Sequence, residues 1–460
     1  MKLKLHTVSP IHIGTGNSLE PFEYIIENNI FYRLDKDKAF KLALERHPHF
    51  PEKFSSWIDS TTSKLKTARS NQEQAEIRKK FNFKYFCETI LQDPKLAALI
   101  IEKGFAYKCS VPYGTLNKKQ VLELLKTYDN QPIIPGSSIK GAIRTILAWR
   151  AFKNMGDNEK RNLLKKITNS KAYERKKGKD LDTPLEEELF NCGKKKFHNG
   201  VETADYSDIK FDLMKFVRIT DATPTNAKIA VYPANLYLTN KPPQTQTPAL
   251  EVIEFNSSFV FEIKINEDEL RHIYNSSKSQ NSKIWLGFNQ KFKRIFGFDP
   301  DNIERGKLEE KIIESIKYTI TDYYKTQFER EMKWIEKFRE EIQVDRKNRT
   351  NAHIKSIREF YEVYKSISIM FRIGWASGFT STTIFDALET NPITKPFIQE
   401  LFADFKIGIP PTSKKDPNIT PADVSKFPKS KRFKARTEEI PIDPFGWVAL
   451  LTMKQNLELE

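Results

Sequence analysis

Cysteine is scarce in this 460-residue chain. Its three thiols, Cys87, Cys109 and Cys192, form no CxxC pair and no metal-ligand spacing, so neither a disulfide framework nor a structural zinc site is expected, and no metal or other cofactor is encoded locally. Long apolar runs are also missing. No stretch approaches the roughly 18 residues needed to span a bilayer, and the start of the sequence lacks an apolar run of signal-peptide length. Together these absences predict a cytoplasmic chain with no membrane partner, folded on its own core. The length suggests roughly two to four domains.

Positive charge and aromatic rings are abundant. Lys and Arg number 76 against 60 Asp and Glu, a net charge of +16, and 12% of residues are aromatic. Cations recruit phosphates and rings stack on single-stranded bases, so a polyanion fits this composition. A lysine-rich surface that is merely solvated fits it equally well.

Gln131–Arg150 is the densest stretch. Ile133 and Ile134 read as the end of a strand, Pro135-Gly136 as a turn, and Ser137 or Ser138 as the cap of the following helix. Ile139, Ile143, Ile146 and Leu147 recur at helical spacing, while Lys140 and Arg144 stand four apart near the helix start. Free N–H groups, serine hydroxyls, two cations and the bare Gly141 suit an anion, with phosphate the natural candidate. The glycine spacing of a Walker A loop is absent. The other reading is a capped core helix with two solvated cations.

Elsewhere, Lys2–Val8 alternates as a strand, and Ile13-Gly14-Thr15-Gly16 follows in a loop whose N–H groups can cradle a backbone. Phe22–Ile26 and Ile30–Leu34 read as a hairpin around Asn28-Asn29, and Asp35–Glu45 as a helix ended by His47-Pro48-His49. Residues from about 47 to 130 read as a helical insertion, including a helix at Lys118–Thr127, with Cys109–Pro112 a returning strand. Between Lys153 and Asn199 charge dominates, and a surface is expected, with Lys165, Lys166, Lys171, Arg175, Lys176, Lys177, Lys179 and Lys194–Lys196 available to phosphates. Phe211–Thr220 with Lys228–Tyr232 predicts one hairpin, and Ala249–Phe255 with Ser258–Ile265 a ribbon. Glu304–Gln343 is a long helix and His353–Met370 a shorter one. Gly374 and Gly378 flank Trp375 in a glycine-rich loop. Pro410–Pro441 is expected to be irregular, a basic arm carrying Lys426, Lys429, Lys431, Arg432, Lys434 and Arg436 with Phe427 and Phe433; a solvated linker is the alternative. Trp447–Thr452 closes a sheet.

Pro135–Arg144, PGSSIKGAIR, resembles the PGSSxKGxxR signature of the RAMP superfamily, the ferredoxin-fold RNA-binding subunits of type III CRISPR effector complexes. Leu3–Gly16, LKLHTVSPIHIGTG, resembles that family's first strand and its glycine loop, and Arg372–Phe379, RIGWASGF, its GxxxGF loop. Pro444–Val448 and the length resemble the type III-A (Csm) subunit at the crRNA 3′ end. The resemblance implies an α+β fold of tandem ferredoxin-like (RRM-like) modules with antiparallel sheets and helical insertions, divided as 1–208 and 209–460. It implies a non-catalytic crRNA-binding cap that supports 3′ maturation in antiviral defence. Its partners would be crRNA, the adjacent Csm backbone subunit, the small subunit and trans-acting trimming nucleases.

The residues then expected to hold RNA are Ile13, Gly14, Thr15, Gly16, Ser137, Ser138, Lys140, Gly141, Arg144, Gly374, Trp375, Gly378, Lys431 and Arg432, with the three loops meeting in one groove. No catalytic residue is expected. Asp35 and Asp37 read as helix-start acids. The alternative is a processing endoribonuclease using His6 or His12, and a third reading is a protein-interaction scaffold.

Overall fold

The computed structural model describes residues 1–112, 120–174, 182–198, 201–238, 241–244, 248–279, 281–341, 357–364, 367, 369–409, 424, 427–428, 430–435 and 441–455. The N-terminal strand Lys2–Thr7 lies at the centre of the first sheet, between Ser258–Ile265 and Trp447–Thr452. Thr223–Asn226 and Val217–Ile219 extend it beyond Ser258–Ile265, and Met370–Arg372 forms the far edge. All these pairings are antiparallel.

The second sheet runs Gly14–Leu19, Val121–Leu124, Ala249–Ile253, Ile229–Leu238, Phe105–Ser110, Ile30–Leu34 and Tyr24–Glu27. Ser430–Ala435 pairs with the distal half of Ile229–Leu238 and with Pro441–Pro444. Two of its pairings are parallel, so this sheet is mixed where an antiparallel one was expected. The architecture is α+β. Each sheet draws strands from both sides of residue 208, so the expected division at 208/209 falls inside both sheets.

Gly136–Lys153 packs on the first sheet because its apolar stripe is continuous. Ile139, Ile143, Ile146 and Leu147 share one core with Leu3, Leu5, Phe259 and Phe261, and with Leu308, Ile312 and Ile316 of the long helix Leu308–Glu341. Each such side chain contributes about 1.5–3 kcal/mol by leaving water. The helices Phe50–Thr67 and Pro94–Lys103, with Lys36–Arg46 before them, share a separate aromatic core around Phe50, Phe83 and Phe86, as the helical insertion predicted. The hairpin also forms as read, with Asn28 and Asn29 at φ 50° and 61°. Among the described residues no helix is long and apolar enough to cross a membrane.

Several expectations are corrected. Val121–Leu124 is a strand within the range read as a helix, because Val121 and Leu122 pair beside Ala249 and Leu250. Ala249–Ile253 and Ser258–Ile265 belong to different sheets. Asn256 turns at φ 59°, and Thr7 occupies the corner: it accepts from the Asn256 and Ser257 N–H groups through its carbonyl and Oγ1. Val217–Ile219 and Ile229–Leu238 are likewise split between sheets rather than paired. The charged region after Lys153 holds buried structure: Leu163 and Ile167 of the helix Asp157–Thr168, then Leu189, Phe190 and Cys192, enter the main core.

Candidate nucleic-acid interface

Three sequence motifs meet as backbone. Gly446 N–H donates to the Pro10 carbonyl, Ile373 N–H to the Gly446 carbonyl, and Trp375 N–H to the His12 carbonyl. Gly374 (φ 79°) and Gly446 (φ 93°) are needed here, since a Cβ on either would press on a backbone oxygen at 2.5–2.6 Å. The glycines of this junction are thus explained by loop-on-loop packing. Ile13 is buried and its carbonyl accepts from Leu125 N–H, whereas Gly14, Thr15 and Gly16 are exposed on an edge strand. Thr15 Oγ1 donates to Glu123 at 3.0 Å.

Beside the junction lies a cavity of about 360 Å³ bordered by Trp375, Gly378, Phe379 and Arg432. The Arg432 guanidinium sits 5.0 Å from the Trp375 ring centre, a stack that offers a cation and a flat surface together. Lys431, its sequence neighbour, borders the same cavity but is already engaged. It is ion-paired with Glu331 inside the fold, with only 11% of its side chain exposed, so its charge is answered within the protein. The strand Ser430–Ala435 also corrects the expectation of an irregular arm. Lys434 pairs with Asp443 at 3.0 Å. Lys426, Lys429 and Arg436 lie outside the described residues, as do Arg175, Lys176, Lys177 and Lys179.

At the start of the central helix the cap is not a serine. Pro135 takes the N-cap position with no side-chain cap, and the Gly136 N–H donates to Asp221 Oδ1 at 2.7 Å. A Cβ on Gly136 would collide with the Ile219 and Thr220 carbonyls, which fixes the helix start against that segment. A carboxylate therefore already occupies part of the position proposed for an anion. The side face is different. Ser137, Lys140, Gly141 and Arg144 fall on one strip of the helix, and Ser137 and Gly141 are exposed. A Cβ on Gly141 would meet nothing within 4 Å.

Arg144 is bound by Asp212 at 2.7 Å and Glu186 at 3.1 Å and stacks 4.0 Å over Phe190. Lys140 has no ion pair among the described residues. Burial lowers its pKa, with the neighbouring Arg144 and Arg218 acting in the same direction against Asp212. Arg218, exposed on the strand Val217–Ile219, is the functional candidate that sequence reading missed. Only the pairing of that strand with Ser258–Ile265 aligns it beside the helix face. The first and third loops thus touch directly. The helix face is linked to them through Leu125, whose N–H reaches Ile13 and whose carbonyl accepts from Ile133.

The two histidines are inside. His6 is 5% exposed with Nδ1 3.1 Å from Ser258 Oγ, and His12 is 2% exposed with Nδ1 2.7 Å from the Glu251 carbonyl. Burial lowers the pKa of both. Among the described residues no group of three or more His, Cys, Asp or Glu side chains is arranged to hold a metal ion.

The sequence model of the RAMP superfamily matches residues 4–380. The chain belongs to the RAMP superfamily. Two relatives, each described as "CRISPR system Cms protein Csm5", are similar to it. That of Streptococcus thermophilus is 30% identical over 201 residues, 42% of this chain, and the match spans about half (49%) of the relative's length. That of Methanocaldococcus jannaschii is 21% identical over 98% of this chain and 88% of the relative. Among solved structures, a chain of a cryo-EM Csm–crRNA–target RNA ternary complex of a type III-A system superposes with a TM-score of 0.58 at 20% identity, covering 98% of this chain and 100% of that one. The crystal structure of T. onnurineus Csm5 gives 0.57 at 20% identity over 97% and 99%. These superpositions place the RAMP fold along nearly the whole chain.

Proposed function

We propose that this RAMP protein is a non-catalytic, crRNA-binding subunit of a type III-A effector complex, seated at the crRNA 3′ end. The observation that carries the proposal is the strip Ser137–Lys140–Gly141–Arg144 inside the superfamily signature. It is a cationic face with Arg218 alongside and open space over a glycine, where a phosphate backbone can approach without meeting a side chain. Such contacts hold phosphates without reading sequence. The names of the Csm5 relatives and the ternary-complex neighbour support the assignment to a Csm assembly, with crRNA and an adjacent backbone subunit as partners. Contact with the small subunit and recruitment of separate nucleases for 3′ trimming belong to the same proposal.

The endoribonuclease reading needs a histidine that reaches a scissile phosphate, and His6 and His12 are enclosed. A single incubation separates the readings. Purified protein and end-labelled crRNA are run on native and denaturing gels across a salt series. A shifted, intact RNA whose affinity falls steeply with salt is expected. Lys140→Glu with Arg218→Glu should abolish the shift while leaving the fold intact. Arg144 is the poorer choice, because a glutamate there would face Asp212 and Glu186. Discrete shortened products that vanish in a His12→Ala variant would overturn the proposal.

A further inference from the structure

Beneath the far end of the central helix lies a second cavity, of about 540 Å³. Trp149 and Phe152 of that helix line it together with Arg330 and Trp334 of the long helix. Lys160, from the next helix, projects into it. Lys160 is only 6% exposed, its Nζ lies 5.5 Å from the Phe152 ring centre, and it has no hydrogen bond or ion pair among the described residues. Arg330 adds a second cation to the wall. Its Nε binds Asp386 at 2.7 Å and its Nη2 binds Glu389 at 2.6 Å, while Nη1 is buried without a partner.

The Lys160 ammonium reaches the cavity surface with no acceptor among the described residues, and a ligand oxygen would answer it. The two acids nearest Arg330 are engaged by it, which leaves Lys160 and the rim residue Lys333 facing the single unpaired carboxylate Glu329 on the described wall. The balance is cationic. Flat aromatic surface is supplied by Trp149, Trp334 and Phe427, between small polar and proline side chains. The volume lies within the roughly 300–1,000 Å³ of small-molecule sites. A bare phosphate makes no use of the rings, and an apolar ligand none of the cations.

We infer that this cavity binds a nucleoside phosphate, its phosphate on the Lys160 ammonium and its base against the aromatic wall. The same chemistry is offered by a free mononucleotide and by the terminal nucleotide of an RNA strand. The site does not depend on the helix-start face, since none of Lys140, Arg144 and Arg218 lines it.

The test titrates the full-length protein calorimetrically with AMP, UMP, inorganic phosphate and an eight-nucleotide RNA, each against wild type, Lys160→Gln and Lys333→Glu. A mononucleotide should bind at least tenfold more tightly than inorganic phosphate, and Lys160→Gln should weaken it at least tenfold. Lys333→Glu, at the rim, should weaken it several-fold without disturbing the core. Lys140→Glu with Arg218→Glu should leave mononucleotide binding unchanged, which separates failure here from failure of the RNA-holding face. If only the RNA responds to Lys160→Gln, the source is a strand end. The inference is overturned if no probe binds, if phosphate binds as tightly as the nucleotides, or if neither Lys160→Gln nor Lys333→Glu weakens any probe.

Discussion

His12 and Gly374 are locked backbone against backbone: the residue after Gly374 donates its N–H to the His12 carbonyl at 2.8 Å, and a Cβ on Gly374 would lie 2.5 Å from that same oxygen. Two motifs some 360 positions apart in the sequence therefore share one junction. Gly374→Ala introduces both a clash and a left-handed alanine, and should cost about 2–4 kcal/mol. Urea unfolding reads this directly, and an unchanged midpoint would show that the loops part easily.

A second long-range tie is the ionic cluster under the C-terminal strand. Glu331, on the long helix, meets Lys431 and lies 3.5 Å from Arg372, and Tyr361 donates to it at 3.0 Å. Burial alone would push the Glu331 carboxyl up, but Lys431 and Arg372 outweigh it and hold it below its ordinary value. Glu331→Gln leaves two buried cations without their anion and should cost about 3–5 kcal/mol. Replacing both Glu331 and Lys431 by methionine should recover part of that loss. A double variant no more stable than the single one would count against the pairing.

Gly141 separates stability from binding. The site is helical and open, so Gly141→Ala should raise stability by about 1 kcal/mol through helix propensity alone. If an RNA backbone passes over this glycine, the added methyl weakens crRNA binding at the same time. A stabilised variant with wild-type RNA affinity would remove Gly141 from the interface and leave Lys140 and Arg218 as its only support there.

Much of this organisation was readable in the chain. Short-range signals held: the Asn28-Asn29 turn, the Asp35 cap, whose side chain accepts from Lys38 N–H, and the apolar stripe of the central helix. What failed was information carried by distant partners. Val121–Leu124 has helical spacing, yet becomes a strand because a sheet position beside Ala249 outweighs local preference. Ser137 looks like a cap, but Asp221, 85 positions beyond Gly136, supplies the carboxylate. Lys431 reads as a free cation because nothing near it in sequence announces Glu331. Arg218 is silent until its strand pairs. A charge run in a sequence records cations, not their counter-ions.

The junction should also respond to acid. Burial holds His6 and His12 below the ordinary 6.5, with Lys4 adding to the effect at His6, while at His12 Lys126 adds to it and Glu251 opposes. As pH falls through about 6.5 the unfolded chain takes up protons that the folded chain refuses, so stability is full above that value and declines below it. Carboxylates whose folded values are depressed act only at lower pH, whereas burial raises Glu187 and Asp386, whose contribution runs the other way as pH falls, so the histidine variant isolates the histidine part. Urea midpoints taken at pH 7.5, 6.5 and 5.5 should fall across that interval, and His6→Gln with His12→Gln should flatten the slope. Because His12 carries the carbonyl that anchors Trp375, crRNA affinity at low pH should weaken with it. Midpoints that do not move between pH 7.5 and 5.5 would mean that both rings accept protons without disturbing the junction.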